Sequence, residues 1–278
     1  MFAVGSGIFP PELSNVWLFL TVGSCSAILF SMGKSGFGGG VGLLSVPMMV
    51  YACGQNAPLA VGVMLPVLIA ADYAAVISWR SQWLLRQVGM LLIGVIPGIV
   101  IGAAAVWAFG RLGADTQADV TNAGLKLGVG LIALGFVVLR LIGYLRGEPL
   151  AFRPVWWQAA TAGTVAGVAS TLAHASGPIV AMYLLPQQMP KGRYVATTAL
   201  TFWCVNQLKL PAYFALGLVN TGTLGMGVAL LPGIAAGAAL GVYLHRKVGD
   251  RQFTPIIYAL LALTGAHLTW QALGALWG

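Results

Sequence analysis

The sequence predicts an all-α integral membrane protein made of two inverted repeats, each a broken re-entrant helical hairpin followed by three transmembrane helices. Three observations predict it. Apolar residues make up 59% of the chain and charged residues 7%, with a mean hydropathy of +0.88; that composition suits lipid and not a soluble domain of this length. Two apolar segments are interrupted by glycine-loaded stretches that each carry an ionisable residue, Gly33-Lys34-Ser35-Gly36-Phe37-Gly38-Gly39-Gly40 and Ala173-His174-Ala175-Ser176-Gly177-Pro178. Four short basic loops share one face of the membrane only if both interrupted segments return to the side they came from.

Taken in order, the first apolar run, 14–32, follows Pro10-Pro11-Glu12 with no basic stretch before it. That is unlike a cleaved signal peptide, so the run is expected to stay in the mature protein. Run 41–53 offers 13 residues and run 178–186 offers 9, whereas a helix rising about 1.5 Å per residue needs about 20 to cross the hydrocarbon. Each is read as the second arm of a broken hairpin, paired with 14–32 in the first half and with 155–172 in the second. Runs 57–79, 87–109 and 120–144, then 194–217, 222–244 and 253–276, are long enough to span. No room is left for a soluble catalytic domain.

The basic loops hold Arg80 and Arg86, then Arg140, Arg146 and Arg153, then Lys191 and Arg193, then Arg246, Lys247 and Arg251. With two re-entrant hairpins all four face the cytoplasm, while the Asp115/Asp119 loop and both termini face outside. The formal charge of +8 is therefore orientation, and no nucleic-acid partner is expected. A hairpin plus three spans is an odd number of crossings, which inverts the second half and divides the chain into repeats 1–146 and 147–278. An offset of 135 residues supports the division: Pro97-Gly98-Ile99 matches Pro232-Gly233-Ile234, Gly102-Ala103-Ala104 matches Gly237-Ala238-Ala239, Gly42 meets Gly177 and Arg111 meets Arg246. Cys25, Cys53 and Cys204 lack metal-ligand spacing and are read as buried packing residues. Trp79, Trp83, Trp156, Trp157, Trp270 and Trp277 lie near span ends, as interfacial anchors do.

Gly36, Gly38, Gly39 and Gly40 each weaken a helix by roughly 1 kcal/mol relative to alanine. The backbone they release is tolerated at membrane depth only inside protein or beside a wet cavity. Free N–H groups at a following helix N-terminus, with Lys34 adding a full charge and Ser35 a hydroxyl, favour an anion. The alternatives are glycines that serve close helix packing and a Lys34 that snorkels to the interface. In the second half His174, Ser176, Gly177 and Pro178 occupy the equivalent break, with Pro178 in a first turn where a missing donor is tolerated. The two tips are expected to meet.

Asp72 in run 57–79, and Asn206, Gln207 and Lys209 in run 194–217, supply the other polar groups at membrane depth, and position 72 maps onto 207 at the repeat offset. An intramembrane acid and base form an ion pair, Asp72 with Lys209 or with Lys34, or stand on an ion path, which makes Asp72 and Gln207 candidate coupling residues. Pro97 and Pro232 lie mid-span and favour kinks that serve gating.

These residues resemble a known family. Gly38-Gly39-Gly40 followed by Val46-Pro47, together with His174-Ala175-Ser176-Gly177-Pro178, Leu184, Pro190-Lys191, Thr197, Phe202, Asn206, Lys209 and Tyr213, is similar to the TauE/SafE sulfite exporters over both halves. The resemblance implies a secondary carrier of sulfite, sulfonates or related small organic anions across a bacterial inner membrane, without a bound cofactor. Its partners are then a small anionic substrate and the lipid bilayer, with proton or ion coupling, transport direction and oligomeric state left open. It agrees with an anion site drawn from Lys34, Ser35, Gly36, Gly38, Gly39, Gly40, His174, Ser176, Gly177, Pro178, Asn206 and Lys209. Two rival functions stand beside it. An anion channel would use the same glycine tips and Lys34 to line a pore. An intramembrane serine protease would take Ser35 of Gly33-Lys34-Ser35-Gly36 as nucleophile with His174, His245 or His267 as base, but the dense glycine run after the serine does not fit a nucleophile on a continuous helix.

Overall fold

A computed structural model describes residues 9–10, 13, 15–39, 45–112, 115–146 and 155–277, and among them every regular element is helical. In the first half these are α1 (Val16–Phe37, with a π turn at Phe19–Gly23), α2 (Ser45–Ala52), α3 (Ala57–Ser78), α4 (Leu85–Leu112) and α5 (Asp115–Leu145). In the second they are α6 (Trp156–Ala173), α7 (Gly177–Leu184), α8 (Lys191–Ala215), α9 (Thr221–Ala229), α10 (Leu231–Lys247) and α11 (Asp250–Trp277). By length and apolarity α1, α3, α4, α5 and α11 can each cross a membrane, and α9 with α10 forms a further such segment bent by 49°. The chain is a multi-pass membrane protein. Helix α8 has 25 residues but is less apolar, because Thr197, Thr198, Thr201, Asn206 and Lys209 are buried along it.

The first break falls later than the apolar run suggests. The helix continues through Gly33-Lys34-Ser35-Gly36-Phe37 and stops at Gly38, because Gly36 serves packing and not helix breaking: a Cβ there would stand 2.6 Å from the Gly241 carbonyl oxygen. Gly38 (φ 67°, ψ 32°) and Gly39 (φ 89°) are both left-handed, and the Gly39 N–H bonds the Gly33 carbonyl at 3.0 Å. Helix α6 closes the same way. His174 takes φ 50° and ψ 28°, and the Ala175 N–H reaches the Ala169 carbonyl at 3.1 Å. In each, the residue after the left-handed position bonds the carbonyl six residues back, and a left-handed closure of this kind ends a helix sharply.

Glycine seams hold the bundle together. Helix α4 lies against α6, with Gly94 facing Ala160, Gly98 facing Thr164 and Gly167, and Gly102 facing Thr171. Helix α10 lies against α1, with Gly233 facing Ser24 and Ala27, Gly237 facing Ile28, and Gly241 facing Met32 and Gly36. Numbers rise together along both seams, so the helices of each pair run in the same direction. A Cβ at Gly94 would stand 1.8 Å from the Ala160 carbonyl oxygen and one at Gly237 2.3 Å from that of Ile28; small residues here let backbones touch, as membrane helix pairs require. Helices α5 and α11 form a third pair. There Gly130 meets Gly265 and Thr269 while Gly265 meets Gly130 and Leu134, a reciprocal pattern that places the two helices antiparallel.

The basic loops gather at one end of the bundle. Lys191 Nζ donates to the His245 and Val248 carbonyls and sits 3.3 Å from Asp250 Oδ1, Leu84 N donates to Thr197 Oγ1 at 3.1 Å, and Arg140 borders a cavity with Met189 and Thr254. Two expectations need correction, one for the cysteines and one for Trp79. Cys25 is exposed, since α1 turns that side away from α10, and Cys204 is only half-buried, leaving Cys53 as the buried one. Trp79 is only 9% exposed and bonds inside the protein instead of anchoring at an interface, whereas Trp156, Trp157 and Trp270 are exposed as anchors should be. Pro232 does stand at a kink within its run: it opens α10 at the 49° bend, where its missing N–H costs nothing. Pro97 lies inside α4 as expected, and Pro66, Pro211 and Pro255 are also inside helices. Gly40, Gly42, Arg153 and the side chains of Arg111, Asp115 and Asp119 lie outside the described residues.

Candidate functional site

One face of α8 runs the length of the site. Tyr194, Thr198, Phe202, Asn206, Lys209 and Tyr213 recur at helical spacing, and all are buried. This stripe meets the tip of α1 at Phe202, whose ring approaches Gly39, and the tip of α6 at Lys209. The tips also meet each other, since a Cβ on Gly177 would stand 3.2 Å from the Gly39 carbonyl oxygen. Between them lies a small cavity of about 20 Å³ bordered by Lys34, Gly39, Ser170, His174, Ser176, Gly177 and Asn206, with Phe30, Leu68 and Phe202 as its apolar wall. That is little more than the roughly 10–15 Å³ one water needs.

Charge is concentrated around this cavity. Lys34, 3% exposed, bonds Asp72 Oδ1 and lies 4.9 Å from the Phe30 ring centre and 5.2 Å from that of Phe202, a cation between two aromatic faces. It does not snorkel. Asn206 Nδ2 donates to the other Asp72 oxygen at 2.5 Å, so the acid is satisfied on both sides. Lys209 takes a different set of partners. Its Nζ donates to the Ser170 carbonyl and to His174 Nδ1, both at 3.1 Å, and no carboxylate lies within 4.0 Å of it among the described residues. With His174 accepting at Nδ1, its Nε2 carries the proton and faces the Val61 carbonyl at 3.4 Å. Lys34, Asp72 and Lys209 then sum to a formal +1.

His174 holds the left-handed position that glycine fills in the other tip. A non-glycine residue there costs roughly 1–2 kcal/mol, and its bond to Lys209 accounts for the choice. The carbonyls at the two helix ends are bonded by parallel devices. Trp79 Nε1 donates to the Ser35 carbonyl at 2.7 Å and His245 Nδ1 to that of Gly36 at 2.8 Å; the Tyr213 hydroxyl donates to that of Thr171 at 2.7 Å. Both broken ends are thus satisfied away from water, as membrane depth demands.

Of the residues expected at the site, the cavity brings together Lys34, Gly39, His174, Ser176, Gly177 and Asn206, with Asp72 bonded to two of them. Lys209 stands one layer back and acts on the cavity through His174 and Ser170. Gly38 backs onto Tyr194, Pro178 opens α7 beside the cavity, and Ser35 and Gly36 are turned away toward Trp79 and His245. Gln207 is half-buried, and Asn206, one residue earlier, reaches Asp72 in its place. Ser170, Phe30 and Leu68 were not anticipated; Ser170 does fall 135 residues after Ser35, the one signal that pointed to it.

Residues 24–268 match the family model described as Sulfite exporter TauE/SafE. The chain belongs to that family. Neither the curated proteins nor the solved structures give a significant match. TauE/SafE proteins are transporters and not enzymes, so this chain is a membrane transporter of sulfite or related anions, working on a small anionic substrate within a lipid bilayer. The site agrees with a TauE/SafE assignment and not with a serine protease: Ser35 Oγ is buried with no hydrogen-bond partner, and the rings of His174 and His245 are engaged elsewhere.

Proposed function

We propose that the protein is a secondary carrier, built of two inverted repeats in a bacterial inner membrane with both termini outside, that moves a small sulfur-containing oxyanion, sulfite or a sulfonate, by alternating access. The observation that carries the reading is the meeting of two broken helices at one buried cavity of net positive formal charge. A buried cation without a counter-charge is costly, and a monovalent oxyanion cancels it. Ser176, the amides near Gly39 and Gly177, His174 and Asn206 supply hydrogen bonds, and Lys34 and Lys209 supply charge.

The repeat reading is supported by correspondence at 135 residues, since α3, α4 and α5 shifted by that offset fall on α8, on α9 with α10, and on α11. It is also supported by reciprocity, since α4 takes α6 as α10 takes α1, and Gly130 meets its own counterpart Gly265. The gathering of the basic loops on one face supports hairpins that re-enter. Asp72 is the coupling group. While ionised it occupies Lys34; once protonated it releases Lys34 to the anion, so that a proton travels with the substrate.

Counterflow of labelled sulfite, thiosulfate and sulfonates into proteoliposomes tests the carrier. Saturable counterflow is expected, and loss of one charged hydrogen bond in Lys34→Met should lower affinity by about tenfold or more. Linear flux without counterflow identifies a channel and rejects the reading. With a pH dye in the lumen, Asp72→Asn should keep counterflow and lose the accompanying proton.

A further inference from the structure

On the face that gathers the basic loops, a second and much larger cavity, about 390 Å³, opens between α5, the start of α8 and α11. Arg140, Thr254 and Tyr258 border it, and the same three border an adjoining cavity of about 610 Å³ to which Arg251 is added. No acidic side chain borders either one among the described residues. Arg140, which borders both cavities, and Arg251, which borders the second, raise the local concentration of small anions and offer forked hydrogen bonds to oxyanions. The space suits a small ligand, whereas the cavity between the tips, at about 20 Å³, does not.

Tyr194 stands between the two spaces. Its ring borders the larger cavity, and on its far edge a Cβ added to Gly38 would lie 2.7 Å from Cε1 and 3.3 Å from Cζ. The next residue, Gly39, borders the central cavity. The ring is 2% exposed and braced edge-on by Phe253, with centroids 5.8 Å apart at 72°. Its hydroxyl has no hydrogen-bond partner among the described residues, although buried phenols usually find one. Along α8, Tyr194 lies 12 residues from Asn206, about 18 Å at 1.5 Å per residue.

We propose that this cavity and the one adjoining it form a vestibule that binds the transported sulfur oxyanion through Arg140, which borders both, and Arg251, which borders the second, and that the Tyr194 ring is the partition an anion must pass to reach the tips. This rests on the carrier reading. The present state holds an anion outside the partition and excludes it from the centre. Swinging the Tyr194 ring aside joins the two spaces, and its unpaired hydroxyl is placed to bond the anion in passage.

The test uses protein in which Cys25, Cys53 and Cys204 are replaced by alanine, carrying one reporter cysteine, and the impermeant probe 2-sulfonatoethyl methanethiosulfonate added from the basic-loop side. With Thr254→Cys as the vestibule reporter, ethanesulfonate, which unlike sulfite does not consume the thiosulfonate probe, should slow labelling about tenfold at ten times its dissociation constant, and Arg140→Gln should abolish that protection. With Ser176→Cys as the reporter between the tips, labelling should accelerate about ten- to thousand-fold on adding Tyr194→Ala or Tyr194→Leu, the range set by an open state populated at roughly 0.1–10%, and stay unchanged with Tyr194→Phe. No protection of the vestibule reporter, or no acceleration at the tip reporter, overturns the proposal. Protection seen only in phosphatidylglycerol vesicles and independent of ethanesulfonate assigns the vestibule to a lipid head group and also overturns it. If both small variants misfold, the labelled Thr254→Cys protein decides: its adduct must block ethanesulfonate counterflow, and intact counterflow rejects the route. Labelling of the tip reporter needs no substrate. Counterflow absent for every sulfur anion, with the Tyr194 effect intact, therefore rejects the carrier reading alone.

Discussion

Asp72→Asn keeps the shape of a side chain and removes its charge. Asp72 is fully buried, with one oxygen on Lys34 Nζ and the other 2.5 Å from Asn206 Nδ2. An asparagine offers one acceptor to these two donors. Asn206 can turn its own amide over and present oxygen instead, so the hydrogen bonds survive and the charge alone is lost. Lys34 and Lys209 then leave a formal +2 in a cluster with no other carboxylate within 4.0 Å among the described residues. Stranding a buried charge this way costs about 3–5 kcal/mol. Adding Lys34→Met removes the stranded cation, and replacing both members of a buried pair is close to neutral, so the double variant should return to within about 1 kcal/mol of the parent. The assay is reversible unfolding in mixed dodecylmaltoside and dodecylsulfate micelles, followed by tryptophan fluorescence. A coupling energy of at least about 2 kcal/mol is expected; single effects that add to within about 0.5 kcal/mol, as independent sites do, refute the buried ion pair.

The same unfolding assay checks the tip. Gly38→Ala meets the Tyr194 ring at 2.7 Å with φ at +67° and should cost about 1–2 kcal/mol for the backbone plus about 1–3 kcal/mol for overpacking; Gly135→Ala, with nothing within 4 Å, should cost nothing. Tyr213→Phe removes the 2.7 Å bond to the Thr171 carbonyl and should cost about 0.5–1.5 kcal/mol; an unchanged midpoint would show that bond to be idle. Gly94→Val drives a side chain into the Ala160 carbonyl and should give no monodisperse protein in size-exclusion chromatography. The Cβ of Ala27 lies 3.6 Å from one built on Gly233, a separation that suits a disulfide. Ala27→Cys with Gly233→Cys should therefore oxidise and still transport, and counterflow lost on oxidation and restored by reduction would show that α1 and α10 slide past each other.

Much of this architecture is legible in the sequence because lipid leaves the chain few options. Runs 57–79, 87–109 and 253–276 became α3, α4 and α11 nearly end to end, since hydrocarbon thickness fixes helix length. The two tips were legible because consecutive glycines, and a histidine before Ser-Gly-Pro, have little other use at that depth. The residues facing across the site were harder to read. The offset pairs Asp72 with Gln207, but which side chain reaches the acid depends on how α3 crosses α8, and the crossing favours Asn206. Trp79 has the position of an interfacial anchor and is distinguished only by the free carbonyl of Ser35 beneath it. Gly36 and Gly38 look alike in a glycine run. One lies under Gly241 and stays helical, the other adopts a left-handed turn, and only the partner helix separates them.

The glycine seams also decide what can move. Helix α1 is bound to α10 and α6 to α4 with backbone against backbone, and densely packed surfaces of that kind shift as units more readily than they slide. Each seam joins one helix from the first half to one from the second. Rocking one half of the sequence against the other would shear both seams at once, so on the carrier reading the seams, and not the halves, are expected to be the bodies that move. The α1–α10 body carries Lys34, Gly38 and Gly39, and the α4–α6 body carries Ser170 and His174, so these groups stand on opposite sides of the central cavity. Helices α3 and α8 cross between the bodies, with Asp72 and Asn206 bonded at their meeting point. Separating the two seams therefore draws Lys34 away from His174 and widens the space between the tips, with the backbone contacts within each seam left intact.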